Sequence, residues 1–280
     1  MAFRIPHNVE AMTAHRWLNN AQFSLNRSLE RLSSGYRINR AADDAAGLAI
    51  ANQFRQEIAS LKVAYNNASQ ATNLIQVAEG TTSKITDMIT RLKELATEAA
   101  SDTVDDSRRT FLHNEAHQII EEINNLADST KYAGQALFCA ASAAGTTFTF
   151  QVGYENQNYD RIELTIGDVH TSNLGAGGIT TIDLTNISSA QTALTCIDNA
   201  LSSLNAVVAN LGAVQNKLTY RQGKIQVQIE NFTGSESTIR DVDMAAEMAN
   251  FTKNQILVQT SMAMLAQANA LPQNVVQLLR

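Results

Sequence analysis

From Ile187 to Phe232 the apolar residues of this chain recur with alternating steps of three and four, and that run limits what the polypeptide can become. Ile187, Ala190, Leu194, Ile197, Leu201, Leu204, Val208 and Leu211 continue through Gln215, Leu218, Gln222, Ile225 and Ile229 to Phe232 as one stripe. A heptad-like repeat held this long predicts a helix that lies along other helices in near-parallel contact. At about 1.5 Å per residue it would be roughly 70 Å long, so a rod is implied. Gln215 and Gln222 interrupt the stripe, and Gly212 and Gly223 each weaken the helix by about 1 kcal/mol relative to alanine, so its stability must come from packing partners.

Shorter stripes of the same period precede it. One helix is expected from Val9 to Tyr36 on Leu18, Gln22, Leu25, Leu29, Leu32 and Tyr36, with Gly35 as its C-cap. Asp43 and Asp44 suit the cap and first turn of the next helix, where carboxylates meet unpaired amides. That helix carries Ala51, Phe54, Ile58, Leu61, Tyr65, Ala68, Thr72 and Ile75. After a shift of phase near Gly80 it continues as Ala78, Thr81, Ile85, Met88, Leu92 and Leu95. A Ser- and Asp-rich break, Ser101 to Ser107, separates it from a helix on Leu112, Ala116, Ile119, Ile123 and Leu126 that ends near Lys131 and Gly134. Together these stripes describe a helical bundle. The β-like material is confined to Thr147–Val152 and Arg161–Ile166, which read as a hairpin, with Ile179–Leu184 as a third strand. The glycines at Gly175, Gly177 and Gly178 lack the following Lys and the strand-loop-helix setting of a phosphate cradle.

Composition narrows the function classes. Charged residues make up 17% of the 280, against a usual value of about 25%, and Asn, Gln, Ser, Thr and Ala take their place. Helices with such a surface can be covered by more protein on several sides. A net charge of −6 offers no field for nucleic acid, and no cluster of Lys or Arg stands out for anionic lipid, so neither is an expected partner. No stretch approaches the roughly 18 apolar residues of a spanning helix, and Met1–His15 lacks the apolar core of a cleaved secretory signal. The expected compartment is cytoplasmic unless export reads another signal. Cys139 and Cys196 fit either one bridge or two small buried thiols.

The segment from Thr238 to Arg280 says most about partners. Met244, Met248, Phe251, Gln255, Val258, Met262 and Leu265 make its seam, and beyond Lys253 no charged side chain appears until Arg280. Such a helix is ill suited to water on its remaining faces and too rich in Gln and Asn for lipid. The Leu18–Tyr36 stripe is its intrachain partner in an antiparallel coil, and the two ends are expected to order only on assembly.

Alternative chemistries carry little weight. His113 and His117 are four apart around Glu115, but this order does not place a base as a zinc-peptidase helix needs and no third ligand is evident. Asp43 and Asp44 are explained by capping rather than acid–base work. Met244, Met248, Met262 and Met264 read as packing rather than a ligand box, with three of them on the seam. Asn67-Ala68-Ser69 and Asn186-Ile187-Ser188 fit a glycan acceptor pattern, although modification of Ser or Thr between Asp168 and Asn186 is the better expectation.

Two long motifs carry a resemblance. Leu29-Glu30-Arg31-Leu32-Ser33-Ser34-Gly35-Tyr36-Arg37-Ile38-Asn39-Arg40-Ala41-Ala42-Asp43-Asp44 and the residues on to Ile50 resemble the N-terminal signature of the bacterial flagellins. Ser237-Thr238-Ile239-Arg240-Asp241-Val242-Asp243-Met244-Ala245 through Gln259, with Leu265–Asn269 and Pro272–Val275, resembles the C-terminal one. The resemblance implies a minimal inner-core flagellin lacking large outer domains, a self-assembling filament subunit for motility with no enzymatic activity and no cofactor or metal. It implies export through the flagellar secretion channel, an export chaperone on Thr238–Arg280, and assembly beneath a filament cap next to hook-associated proteins. It also implies a secreted, extracellular flagellum, with a periplasmic or sheathed filament left open. Arg91, Leu95 and Glu115 match positions at which a host innate immune receptor reads the family. Cys139, Cys196 and the opening Phe3–Asn8 depart from the family pattern.

The expected fold is therefore mainly α, an elongated coiled-coil bundle with a small β-hairpin region and paired N- and C-terminal helices. Residues 1–43 with 238–280 form the terminal coiled-coil domain, and 44–237 form a rod-like helical domain with the hairpin around 147–184. The inner assembly seam is assigned to Leu25, Leu29, Leu32, Met248, Phe251, Val258, Met262 and Leu265. A hook–filament junction protein is the alternative from the same structural class, and a metal-dependent hydrolase on His113 is the alternative from another.

Overall fold

A computed structural model describes residues 7–138, 145–175 and 177–278, with the side chains of 271–278 outside that description. The fold is mainly α. Helices α1 (Val9–Ser34), α2 (Ala45–Ala99) and α3 (Asp106–Ser129) precede two small antiparallel hairpins, β1 (Lys131–Tyr132) with β2 (Gln135–Ala136) and β3 (Thr146–Gln151) with β4 (Arg161–Ile166). Helices α4 (Ile187–Arg240) and α5 (Met244–Leu278) follow. The chain divides into two compact units, Met1–Ile58 with Glu230–Arg280, and Ala59–Ile229.

The second unit is built on the long stripes. In α4, Ala190, Ile197, Leu204, Leu211, Leu218 and Ile225 are buried at every seventh residue, as the seam predicts. Its other row differs from the expectation. The core takes Ala193, Ala200 and Val214, whereas Leu194, Leu201 and Gln215 are half-buried. Small residues are needed there because the loop after β4 passes directly over the helix: a Cβ added to Gly175 would stand 3.0 Å from the Ala200 nitrogen. Gln215 and Gln222 consequently flank the core and do not interrupt it.

In α2 the expected shift of phase near Gly80 does not occur. Leu61, Ala68, Ile75, Thr82, Ile89 and Ala96 alternate with Ala64, Ala71, Ala78, Ile85, Leu92 and Ala99 in one unbroken seam. Thr82 keeps its place in it because its hydroxyl donates to the Ala78 carbonyl at 2.6 Å, leaving no buried donor unpaired. The step of the stripe shortens earlier, at Ile58, Leu61 and Ala64, which is where the two units divide. In α3, Leu112, Ala116 and Ile123 are buried as expected, joined by Ile120, Ala127 and the Arg109 guanidinium. Arg109 donates to the Ala99 and Ser101 carbonyls at 3.0 and 2.9 Å and so closes the C-terminal end of α2.

The β3–β4 hairpin pairs Thr146 with Ile166 through Gln151 with Arg161, and its buried face carries Ile162, Leu164 and Ile166. The expected third strand is absent: Ile179–Leu184 is an irregular loop. Its apolar residues Ile179, Ile182 and Leu184 are nonetheless buried. The backbone groups find partners without a ladder, Ile179 donating to the Thr171 carbonyl at 2.7 Å and Leu184 to the His113 ring at 3.4 Å. The β1–β2 hairpin turns on Ala133 and Gly134, both at positive φ, and was not foreseen from the sequence.

Candidate functional site: the paired terminal helices

Helices α1 and α5 run antiparallel. Asn8 reaches the Ala268 carbonyl at 2.8 Å, Ser28 faces Asn254 at 3.5 Å, Arg31 faces Glu247 at 3.7 Å, and Tyr36 bridges to Asp241. Each helix is started by a side chain from the sequence motifs. Asn8 Oδ1 accepts from Ala11 at 3.0 Å, and Asp243 Oδ1 accepts from Ala245 and Ala246 at 2.9 and 3.2 Å.

The shared face follows strict alternation on both helices. On α1 it comprises Ala14, Leu18, Ala21, Leu25, Ser28 and Leu32; on α5, Glu247, Phe251, Asn254, Val258, Ser261, Leu265 and Ala268. Of the residues assigned to one inner seam, Leu25, Leu32, Phe251, Val258 and Leu265 lie on this face. Leu29, Met248 and Met262 do not: they are 56%, 50% and 51% exposed. Met244 and Met264 are exposed as well, so the methionines are outside the seam on which three of them were placed. The reason is that α5 is apolar on more than one side. Periodicity then cannot choose the face, and the polar anchors Glu247 and Asn254 choose it instead.

A clasp closes the end of the coil, and neither motif names its role when read alone. Gly35 adopts φ 75° and donates to the Arg31 carbonyl at 2.9 Å, ending α1. Arg37 then donates from its backbone to the Arg240 carbonyl at 2.7 Å and from its guanidinium to the Ile239 carbonyl at 2.6 Å, and Val242 donates to the Gly35 carbonyl at 3.1 Å. The Arg240 guanidinium lies over the Tyr36 ring at 4.2 Å. Asp43 does not begin α2. It accepts from the Asn39 and Arg40 amides and from Arg27 at 2.6 Å, and although burial works against its charge, these donors hold its carboxyl below the usual range. Asp44 is the cap, accepting from Gly47 at 2.9 Å. A Cβ on Gly47 would meet Asp44 Oδ2 at 2.4 Å and Ile38 Cδ1 at 2.9 Å, so a side chain there would displace the capping carboxylate.

The coil leaves large apolar groups on its other faces. Met12, Trp17 and Phe23 of α1 and Ile256, Leu257 and Met264 of α5 are exposed, Phe23 by 72% and Ile256 by 57%. Isolated exposed apolar residues need no explanation, but a run of them along two paired helices marks an interaction surface.

The other sequence candidates resolve plainly. Arg91 is bound to Glu115 at 2.9 Å and to Glu94 at 2.9 Å on an exposed face, whereas Leu95 is 1% exposed and belongs to the core beneath them, so it presents no surface of its own to a receptor. His113 and His117 meet edge to face with centroids 6.2 Å apart, beside Asp183 and Glu121, and among the described residues no three groups converge to hold a metal. Cys196 is a free, half-buried thiol, and Cys139 lies outside the described residues. Asn67 donates to the Gln151 carbonyl at 3.2 Å. Among the described residues no helix is long and apolar enough to cross a membrane.

Comparison with known proteins points one way. Residues 5–143 match the family described as the bacterial flagellin N-terminal helical region, and residues 194–279 match the bacterial flagellin C-terminal helical region. The chain is 39% identical over 284 residues to a flagellar filament 33 kDa core protein of Treponema phagedenis, covering 99% of each. It is 39% identical over 282 residues to a flagellin of Halalkalibacterium halodurans, again covering 99% of each, and 36% identical over 305 residues to a flagellin of Bacillus subtilis, covering 99% of this chain and 100% of that one. Among solved structures it is similar in fold to a Bacillus cereus flagellin, with a TM-score of 0.50 and 24% identity over 57% of this chain and 88% of that one. It is also similar in fold to a putative flagellar hook-associated protein from Vibrio parahaemolyticus, with a TM-score of 0.61 and 11% identity over 71% of this chain and all of that one.

Proposed function

This chain belongs to the bacterial flagellin family, and from that membership we propose how its parts serve a filament. It is a structural subunit that polymerises into the flagellar filament for motility, not an enzyme. The full-length relatives are flagellins and filament core proteins, which leaves the hook–filament junction reading without support.

The α1–α5 coil is the assembly element and lines the inner tube of the polymer. The observation that carries this is the exposed apolar side chains that remain once the two helices have paired. Leu25, Leu32, Phe251, Val258 and Leu265 hold the coil together within a subunit, and Leu29, Met248 and Met262 belong to the surface that neighbouring copies cover. A two-helix coil with Ala, Ser and Asn in its seam is marginal alone, so ordering of the ends and assembly are thermodynamically coupled. The subunit leaves the cell through the flagellar secretion channel and acts in an extracellular filament. An export chaperone covers Thr238–Arg280 before assembly, and the filament cap and hook-associated proteins bound the growing polymer. A host innate immune receptor would meet the Arg91–Glu115 surface, with Leu95 holding it from beneath.

Seeded polymerisation of the purified protein, read by negative-stain microscopy, tests the assembly reading. The full chain extends seeds, and a chain ending before Leu265 stays a soluble helical monomer. Filaments from the shortened chain overturn the terminal-coil assignment.

A further inference from the structure

Methionine is among the residues a fold most often hides, and in this chain it does the opposite. The sequence holds seven methionines. Met1 lies outside the described residues, and of the rest only Met88, packed against the core of the unit Ala59–Ile229, is half-buried. Met12, Met244, Met248, Met262 and Met264 are between 49% and 70% exposed, and all of them belong to the terminal unit. Met244 and Met248 are one helical turn apart, and Met248 and Met262 stand two heptads apart on one stripe, with Gln255 exposed between them. None is on the face that α1 and α5 share.

An apolar contact needs no sulfur, since leucine fills nearly the same volume. What the thioether adds is a lone pair that reacts. A hydroperoxide oxidises it without help from a base. The sulfur lone pair takes one peroxide oxygen, the O–O bond breaks, and the hydroxide that leaves collects the proton of the transferred oxygen as water. Sulfur loses the electron pair that the peroxide gains, and an apolar side chain becomes a sulfoxide with a strong acceptor oxygen. Exposure decides which sulfurs react first, and here it selects the terminal unit. The new oxygen costs little while it faces water. In a seam packed by neighbouring copies it needs a donor, and α5 carries no cationic side chain between Lys253 and Arg280 to supply one.

We propose that Met12, Met244, Met248, Met262 and Met264 form a hydroperoxide-sensitive modification site on the free subunit, whose oxidation to sulfoxides withholds that subunit from the polymer without unfolding it. This rests on the filament reading above and adds to it a covalent control of the assembly surface. Enzymatic reduction of the sulfoxides returns the subunit to the assembling pool.

Hydrogen peroxide applied to the full-chain monomer at about pH 5, where thiols stay protonated and unreactive, followed by seeded polymerisation at neutral pH, tests it. Peptide mass spectrometry is expected to find sulfoxide at the exposed positions well before Met88. The treated monomer keeps its helical circular dichroism and its unfolding temperature, while its critical concentration rises by about tenfold or more. Methionine sulfoxide reductases for both sulfoxide epimers, with a thiol reductant, return it to the untreated value. With Met12→Leu, Met244→Leu, Met248→Leu, Met262→Leu and Met264→Leu combined, the ratio of treated to untreated critical concentration falls to about one, whatever the variant's own untreated value. A treated subunit that polymerises at the untreated critical concentration overturns the proposal, as does sulfoxide forming as readily at Met88. A leucine variant that stays sensitive assigns the effect to other side chains and overturns it too. Loss of helix on treatment has the same force, because the damage then lies within the subunit. If the leucine variant does not assemble, the reductase step decides, and a block that persists after the sulfoxides are gone overturns the proposal. These outcomes leave polymerisation through the terminal coil in place, whereas failure of the untreated protein to extend seeds removes both.

Discussion

Placing a carboxylate at Met262 separates the stability of the subunit from the stability of the polymer. In the single chain Met262 is 51% exposed and lies off the face that α5 presents to α1, so Met262→Asp shifts monomer stability by no more than about 0.5 kcal/mol, as is usual for surface substitutions. In the polymer the same position is covered by a neighbouring copy on the reading above, and an unpaired carboxylate enclosed in a packed seam costs about 3–5 kcal/mol. At 1.4 kcal/mol per factor of ten, that is a critical concentration raised roughly 100- to 4,000-fold. Val258→Asp is the contrasting perturbation, because Val258 lies on the shared face between Asn254 and Ser261. It weakens the coil within the monomer, lowering the helical signal and the unfolding temperature before any assembly. The assay is sedimentation of seeded reactions with the soluble subunit quantified, alongside circular dichroism of the unseeded monomer. Assembly of Met262→Asp at the wild-type critical concentration would refute the argument that the outward faces of the coil are the assembly surface.

Other perturbations probe the units separately. Gly35→Ala places a side chain at φ 75° and costs about 1 kcal/mol of terminal-unit stability, read as a shift in denaturant midpoint. Leu211→Ala, at a fully buried heptad position of α4, costs about 2–5 kcal/mol of the helical unit's stability in the same measurement. His170 supplies a pH dependence: both ring nitrogens face carboxylates, Nδ1 toward Asp168 and Nε2 toward Asp128 at 3.1 Å, so only the imidazolium donates to both. Burial opposes that charge, but the two carboxylates outweigh it and raise the His170 pKa, so its contribution is complete below about pH 6.5 and is lost as pH rises through the folded value. Thermal unfolding across pH should show this alkaline loss in the wild type and not in His170→Gln.

The sequence by itself determined the helices, their period and the pairing of the two ends. Each of these follows from local rules: apolar residues seven apart, a glycine free to adopt positive φ at the end of α1, and aspartates that cap. The hairpin was legible for the same reason, since alternation in Thr147–Val152 and Arg161–Ile166 names its own faces. Only the tertiary structure decided which flank of each stripe is buried. A helix that is apolar on several sides has no single face until a partner arrives, and that is why Leu29, Met248 and Met262 left the intrachain seam while Ala193 and Ala200 entered the core of the other unit. The third strand failed on the same ground: Ile179, Ile182 and Leu184 have the burial of a strand, but their backbone donors were satisfied by a loop carbonyl and a histidine ring instead of a neighbouring strand.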